Sequence, residues 1–287
     1  MPLRIAVGVK WVPNTQAVRI DPKTGTLIRQ GVPSIINPND LSAVELALRL
    51  RDAYGGEVLA VSMAPPPAVK GLEALIGMGV DYAYLFSDRV FAGADTLATS
   101  YVLAQGIRFI EKERGRVDLL VFGQETIDSS TAHVPAQTAS WLGWPYIYYV
   151  RRAELVGDGV LRVERFIEGY VEVYDLPLPA VVSVAARSYK PRHVTLSGKV
   201  RAKVERPIRI VSNKELGLDP RCVGLKGSPT IVARVTYLPE VPRKKEVYVA
   251  KDPRDGARWL LKKLLTDPET RDVILSYLWG GKGGGRT

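Results

Sequence analysis

The sequence predicts a mostly parallel α/β sheet followed by a segment of different character that needs a partner surface. Three observations predict this. Over the first 150 residues short apolar runs alternate with helical patterns, as βαβ units require. Beyond that point the pattern becomes one of antiparallel strands, and beyond residue 187 it becomes a stretch rich in Pro, Lys and Arg. The length of 287 residues suits one large domain with a smaller appendage.

Each element follows from its own residues. "LRIAVGV" (3–9) is an apolar run of the length of a buried strand. "NPNDLSAVELALRLRDAYGG" reads as a helix marked at both ends, with Asn37 as N-cap, Pro38 at the first helical position and Gly55 at the close. "EVLAVSM" is a strand, "PPPAVKGLEALIGMG" a helix and "YAYLF" a strand. "ADTLATSYVLAQGIRFIEKERG" is a long helix and "VDLLVFG" a strand. "TAHVPAQTASWLG" is a helix that tolerates Pro135 only in its first turn, because a later proline removes a hydrogen bond and clashes. From "YIYYV" to "LPLPAVVSVA" the pattern is of antiparallel strands, with a hairpin turn at Gly157-Asp158-Gly159. Then come a basic stretch, the "KGSPT" loop and a linker-like "LPEVPRKKEV". One amphipathic region spans Asp252 to Trp279, and "GGKGGGRT" is expected to be disordered.

Composition narrows the function. Hydrophobic content of 46% and charged content of 24% belong to a soluble globular protein. Cys222 is the single cysteine, which excludes an internal disulfide or a multi-cysteine metal cluster, and His133 and His193 are the only histidines. No run approaches the ~18 apolar residues of a membrane span, and the start is too soon broken by Lys10 for a signal peptide. A reducing cytoplasm fits, with any membrane association through partner subunits. Few Asn, Gln and Cys beside many Arg, Lys and Pro point to a thermophile. The net charge of +10 lies in two late segments: residues 187–209 hold eight Lys/Arg against Glu205 alone, and residues 243–287 hold eleven against six Asp/Glu. Neither interleaves aromatics with its basic residues as single-strand binders do, so nucleic acid is not indicated.

The chemistry gathers at "GQETIDSSTAHV" (123–134), where hydroxyls crowd between a strand and a helix. In open α/β sheets ligands sit beyond the carboxyl ends of strands, beside helix N-termini whose unpaired N–H groups suit phosphate. Ser and Thr add donors without bulk, and Gly123 lets the backbone turn away. Asp128 would repel phosphate, so it is expected to accept from loop N–H groups or a ribose hydroxyl. The alternative is that Ser129, Ser130 and Thr131 serve only as N-cap candidates. "GADTLATS" (93–100) and "NPND" (37–40) are two further polar helix starts. No P-loop signature is present, so NTP hydrolysis is not indicated.

With these motifs in place, the sequence resembles the beta subunits of electron-transfer flavoproteins. The resemblance runs from residue 3 to about residue 240. It rests on "VGVKWVP", "NPNDLSAVELALRL", residues 117–145, "LPLPAVVSVA", "KPRHVTLSGKVRAKVERPI" and "GLKGSPT" in order. It implies an adenine-nucleotide α-hydrolase-like, doubly wound and mostly parallel sheet. Residues 1–188 would form the nucleotide- or flavin-binding domain, and residues 189–287 a recognition loop and an extended arm wrapping an alpha subunit. Nucleotide contacts would come from Gly8, Val9, Lys10, Asn37, Asp40, Ser62 and Met63. The main cradle would be Gly123, Gln124, Glu125, Thr126, Asp128, Ser129, Ser130, Thr131, Ala132, His133 and Val134. Where family members usually carry acidic residues or glycine, this chain has Ser129-Ser130, which retain donor capacity.

The resemblance is greatest to the electron-bifurcating type, through Asp95, Thr96 and Thr99 in "GADTLATSYVLAQGI". That type implies FAD rather than the AMP of simpler members, with NADH as donor and ferredoxin as a possible acceptor. FAD's second phosphate, ribityl chain and ring need more donors than one helix start supplies, and Thr96 and Thr99 share a helix face. No catalytic side chain or metal is implied; the redox chemistry is the flavin's. Residues 187–203 align with the segment that meets a dehydrogenase or quinone-reductase partner. Leu196 would be an apolar anchor among Arg192, Lys199 and Arg201, the charges steering encounter. A solvated basic loop is the alternative for that segment. An adenine-nucleotide-binding regulatory protein without redox role is the alternative for the whole.

Overall fold

The run Leu119–Gly123 is buried throughout. A strand that is apolar without alternation must be covered by helices on both faces, as in parallel sheets. In the computed structural model, which describes residues 2–14, 19–20, 27–28, 33–230 and 246–279, this strand lies near the middle of a large sheet. In chain order the strands are β1 (Leu3–Gly8), β2 (Trp11–Pro13), β3 (Arg19–Ile20), β4 (Leu27–Ile28), β5 (Ser34–Ile36), β6 (Gly56–Met63), β7 (Tyr82–Phe86), β8 (Leu119–Gly123), β9 (Tyr146–Leu155), β10 (Val160–Ile167), β11 (Tyr170–Pro177), β12 (Ala180–Val184) and β13 (Ile208–Val211). The helices are α1 (Pro38–Tyr54), α2 (Val69–Met78), α3 (Thr96–Arg114), α4 (His133–Leu142), α5 (Leu196–Val204), α6 (Asn213–Leu216), α7 (Pro253–Thr266) and α8 (Pro268–Trp279).

Nine strands form one sheet in the order β11-β10-β9-β12-β8-β1-β6-β7-β13. Pairing is parallel from β9 to β13 and antiparallel across β9, β10 and β11. The expected α/β sheet is therefore present, with a meander at one edge. β12 departs from the expected antiparallel series: "AVVSV" is wholly buried and lies parallel between β8 and β9. The core is split by the sheet, as a doubly wound fold requires. Apolar residues of α1 and α2 cover one face, and those of α3 and α4 the other. From β1 the chain steps to β6 and β7 on one side, then returns to β8 on the other. The strand order thus reverses between β1 and β8, the place where such sheets open a ligand crevice.

The chain divides into two compact units, residues 1–231 and 232–287. Residues 189–230, which the sequence grouped with the arm, belong to the first unit. β13 extends the main sheet beside β7, and α5 packs on α2. The reason lies at a pair of glycines: a Cβ on Gly198 would fall 2.8 Å from the Gly77 Cα, so only glycine lets the two helices approach this closely. In the second unit the amphipathic region is broken at Asp267-Pro268 into α7 and α8, where proline cannot continue a helix hydrogen-bond ladder. Tyr248 stacks on Trp259 with centroids 4.9 Å apart. Leu260, Leu261, Leu265 and Val273 of this unit are exposed. "GGKGGGRT" and most of "LPEVPRKKEV" lie outside the described residues.

Candidate functional site

β1 ends at Gly8 against the ring of Phe122, where a side chain on residue 8 would overlap the ring. Gly8 therefore serves packing of β1 on β8. Beyond it, three segments meet at the carboxyl edge of the sheet. Lys10, leaving β1, donates from Nζ to both Asp128 oxygens at 2.9 and 2.8 Å and from its backbone N to Asp40 Oδ2 at 2.8 Å. Asn37 donates to the Glu125 carbonyl and to Asp40 Oδ1, both at 2.9 Å, and accepts from the Ile127 backbone N at 3.2 Å. Asn39 donates to the same Glu125 carbonyl at 2.9 Å. Gln124 accepts from the Ala186 backbone N at 3.1 Å, tying the loop to the exit of β12. The loop after β8, the start of α1 and the exit of β1 are one hydrogen-bonded unit.

The hydroxyls do not cap α4. The residue before that helix is Ala132, in the left-handed conformation at φ 55°, with no side-chain cap. Instead the hydroxyls turn inward on the loop. Thr126 Oγ1 lies 2.6 Å and Ser129 Oγ 3.3 Å from Asp128 Oδ1, and Ser130 donates to the Thr126 carbonyl at 3.1 Å. Burial opposes ionisation of Asp128, but the bonds from Lys10, Thr126 and Ser129 outweigh it and hold its carboxyl below the usual range. Ser130, like Ala132, is held at positive φ (48°), and such non-glycine strain gathers at functional sites. Asn37 holds the N-cap position of α1 without capping it, because its Oδ1 accepts instead from the Ile127 backbone N while its Nδ2 donates to Glu125 and Asp40. The start of α4 thus leaves the N–H groups of His133 and Val134 without side-chain partners, and those groups suit an anion. By contrast, α1 opens on Pro38, which has no N–H, and its Asp40 N is bonded to the Asn37 carbonyl at 3.0 Å.

The residues fit an adenine nucleotide in a second respect. Ser62, near the exit of β6, is buried, and its hydroxyl has no hydrogen-bond partner among the described residues. Gln137 Oε1 on α4 is likewise buried and unpartnered. Such orphaned groups are rare enough to ask for a ligand or water. Val9 is buried, Met63 and Val134 are half-buried, and Thr131 and His133 stand exposed.

Several expected contacts are placed otherwise. Asp40 is 4% exposed and wholly engaged by its neighbours, so it lies behind the crevice wall. Asp95 caps α3 through the Ala98 backbone N at 3.0 Å, and its other oxygen accepts from Thr230 Oγ1 at 2.7 Å. The capping role explains Asp95; Thr96 and Thr99 stay half-buried on the first turn. Arg192 pairs with Glu45 at 3.0 Å and Asp52 at 2.9 Å, and Arg201 pairs with Glu205 and donates to the Val80 carbonyl. Both are structural, whereas Leu196 is 80% exposed and Lys199 is exposed beside it. Asn39 was missed, although its place in "NPND" was the available signal.

The class is now defined: a doubly wound sheet with a hydroxyl-rich crevice at its topological switch point. The Electron transfer flavoprotein domain family matches residues 24–209. The electron transfer flavoprotein subunit beta of Thermoanaerobacterium thermosaccharolyticum is 40% identical over 246 residues, covering 86% of this chain and 92% of that protein. The caffeyl-CoA reductase-Etf complex subunit CarD of Acetobacterium woodii is 43% identical over 233 residues, covering 81% and 87%. Protein FixA of Azorhizobium caulinodans is 41% identical over 238 residues, covering 81% and 84%. The chain belongs to the electron transfer flavoprotein family, among its beta subunits, which act in electron transfer paired with an alpha subunit. No helix among the described residues is long and apolar enough to cross a membrane.

Proposed function

We propose that this beta subunit holds FAD in the crevice between β1 and β8, and with its alpha subunit takes part in flavin-based electron bifurcation. NADH is the donor, and ferredoxin and a dehydrogenase or quinone-reductase partner are the acceptors. The observations that support the nucleotide reading are the uncapped start of α4 and, at the exit of β6, the orphaned Ser62 hydroxyl. Ser62 and Met63 would line the adenosine end. The first N–H groups of α4, with Thr131, would bind phosphate. Lys10 offsets the charge of Asp128, so the loop presents donors to an anion rather than a bare carboxylate. When bound, FAD supplies the electron-carrying chemistry; the chain supplies position, exclusion of water and fixed dipoles.

Thr96 and Thr99 remain the residues that favour FAD over AMP, because they supply donors beyond one helix start. Leu196 and Lys199 on α5 form the partner-facing point. Residues 232–287 form the arm against the alpha subunit, the exposed leucines of α7 being the surface to cover. The alternative, an adenine-nucleotide regulator, predicts a colourless chain that is stable alone. Co-expression with the alpha subunit tests the reading. The purified heterodimer should show visible flavin absorption and lose it on unfolding, and a colourless heterodimer would contradict it.

A further inference from the structure

We propose that Asp40 is a positioning residue for the nucleotide: a buried carboxylate that staples the exits of β1 and β8 to the start of α1 without touching the ligand. The inference rests on the nucleotide reading above. Asp40 Oδ2 accepts from the Lys10 backbone N at 2.8 Å, and Oδ1 accepts from Asn37 Nδ2 at 2.9 Å. The Gly123 backbone packs against Asp40. The two donors come from the exit of β1 and the start of α1, and Asn37 carries the connection onward to Glu125 and Ile127 in the loop after β8. A Cβ on Gly123 would lie 2.8 Å from the Asp40 backbone N and overlap its carboxylate, so the strand exit is shaped to admit this side chain.

Both partners are donors, one on each oxygen, and only an ionised carboxylate offers an acceptor to each. A protonated acid or an amide would turn a hydrogen toward one N–H. The charged group acting on it is Lys10 at the exit of β1, whose Nζ is itself paired with Asp128 from the loop after β8. Burial pushes the Asp40 carboxyl up to about 7, against the hydrogen bonds from Lys10 and Asn37. The sign follows: this group favours the folded state most below its unfolded value near ~4, and less as pH rises toward its folded value. An acid kept where it costs stability serves the geometry of the crevice, in the manner of stability–function trade-offs.

The test uses the full chain paired with its alpha subunit and FAD as probe, whose diphosphate bridge does not titrate between pH 6 and 8. A His133→Gln background removes the imidazole at the start of α4, so that the readout is of the Asp40 carboxyl. FAD affinity should fall about tenfold from pH 8 to pH 6, as linkage to one group with a midpoint near 7 requires. In Asp40→Asn the affinity should be low and flat across the range. Without nucleotide, amide exchange at Lys10 should quicken in Asp40→Asn while α2 is unchanged. A pH-independent affinity in the His133→Gln background, wild-type affinity in Asp40→Asn, or unchanged exchange there would overturn the proposal. The first arm needs no Asp40 variant, so a misfolded Asp40→Asn leaves the test standing. A heterodimer that binds FAD at no pH overturns the nucleotide reading instead, while the exchange arm still decides the staple.

Discussion

Replacing Gly123 by alanine asks whether the crevice depends on the close approach of α1 to β8. The added Cβ would lie 2.8 Å from both the Asn39 carbonyl carbon and the Asp40 N, which are backbone atoms at the start of a helix. Comfortable carbon contacts begin at ~3.5 Å, so α1 or the strand exit must retreat by about 0.7 Å or more. Overpacking of this kind costs ~1–3 kcal/mol. Backbone on both sides gives little room to relax, which places Gly123→Ala in the upper half of that range. At ~2–4 °C per kcal/mol the melting temperature should drop by about 5–10 °C. The displaced segment carries Asn39 and Asp40, so FAD affinity should fall at least tenfold, equivalent to ~1.4 kcal/mol. Gly143→Ala is the control. Gly143 closes α4 at φ 73° with nothing within 4 Å of an added Cβ. It should cost ~1–2 kcal/mol through backbone strain alone and leave affinity unchanged. Thermal unfolding and FAD titration of both variants decide the matter. Wild-type affinity in Gly123→Ala, or equal losses in the two variants, would refute the reasoning.

Three further outcomes are expected. Leu196→Ala should slow electron transfer to a partner with flavin content and melting unchanged, because the side chain is exposed; loss of flavin would mean that α5 faces the cofactor. Arg192→Ala leaves Glu45, whose side chain is 5% exposed, with Arg49 as its remaining ion-pair partner, at a cost of about 1–2 kcal/mol given the partial exposure of Arg192. Burial tends to raise the Glu45 carboxyl, but Arg192 and Arg49 hold it below its usual value. Its contribution is therefore present above the unfolded value and is lost as pH falls through the folded one, so the acid unfolding midpoint should move to higher pH in Arg192→Ala. Deleting residues 243–287 should weaken pairing with the alpha subunit on gel filtration and leave the sheet unit's melting intact; an undiminished heterodimer would exclude α7 and α8 from the interface.

Much of the fold was legible because its signals are local. Unbroken apolar runs such as "VDLLVFG", glycine closing α1 and proline early in α4 each fix an element from a few residues. β12 was assigned the wrong partners because a buried strand reads alike in parallel and antiparallel settings. The short β2–β5 pairing, Trp11 opposite Ile36, has too few residues to show a period. At the site, "NPND" and "GQETIDSST" were visible as polar loops, but which atoms meet was not. That Asn37 leaves its helix unclosed to hold Glu125, and that Asp95 is used by Thr230 from 135 residues away, depends on sheet topology. The same holds for Arg192 and Arg201: sequence shows a basic stretch, and only the fold shows the carboxylates and carbonyls that take up its charge.

The nucleotide released by the heterodimer tests the central claim most directly. The complex of this chain with its alpha subunit, denatured and analysed by chromatography, should release two FAD molecules per heterodimer, one of them lost when Gly123 is replaced by alanine. One FAD with one AMP would contradict the bifurcating assignment. A single FAD unaffected by Gly123→Ala, with no adenine nucleotide beside it, would contradict the crevice as the site.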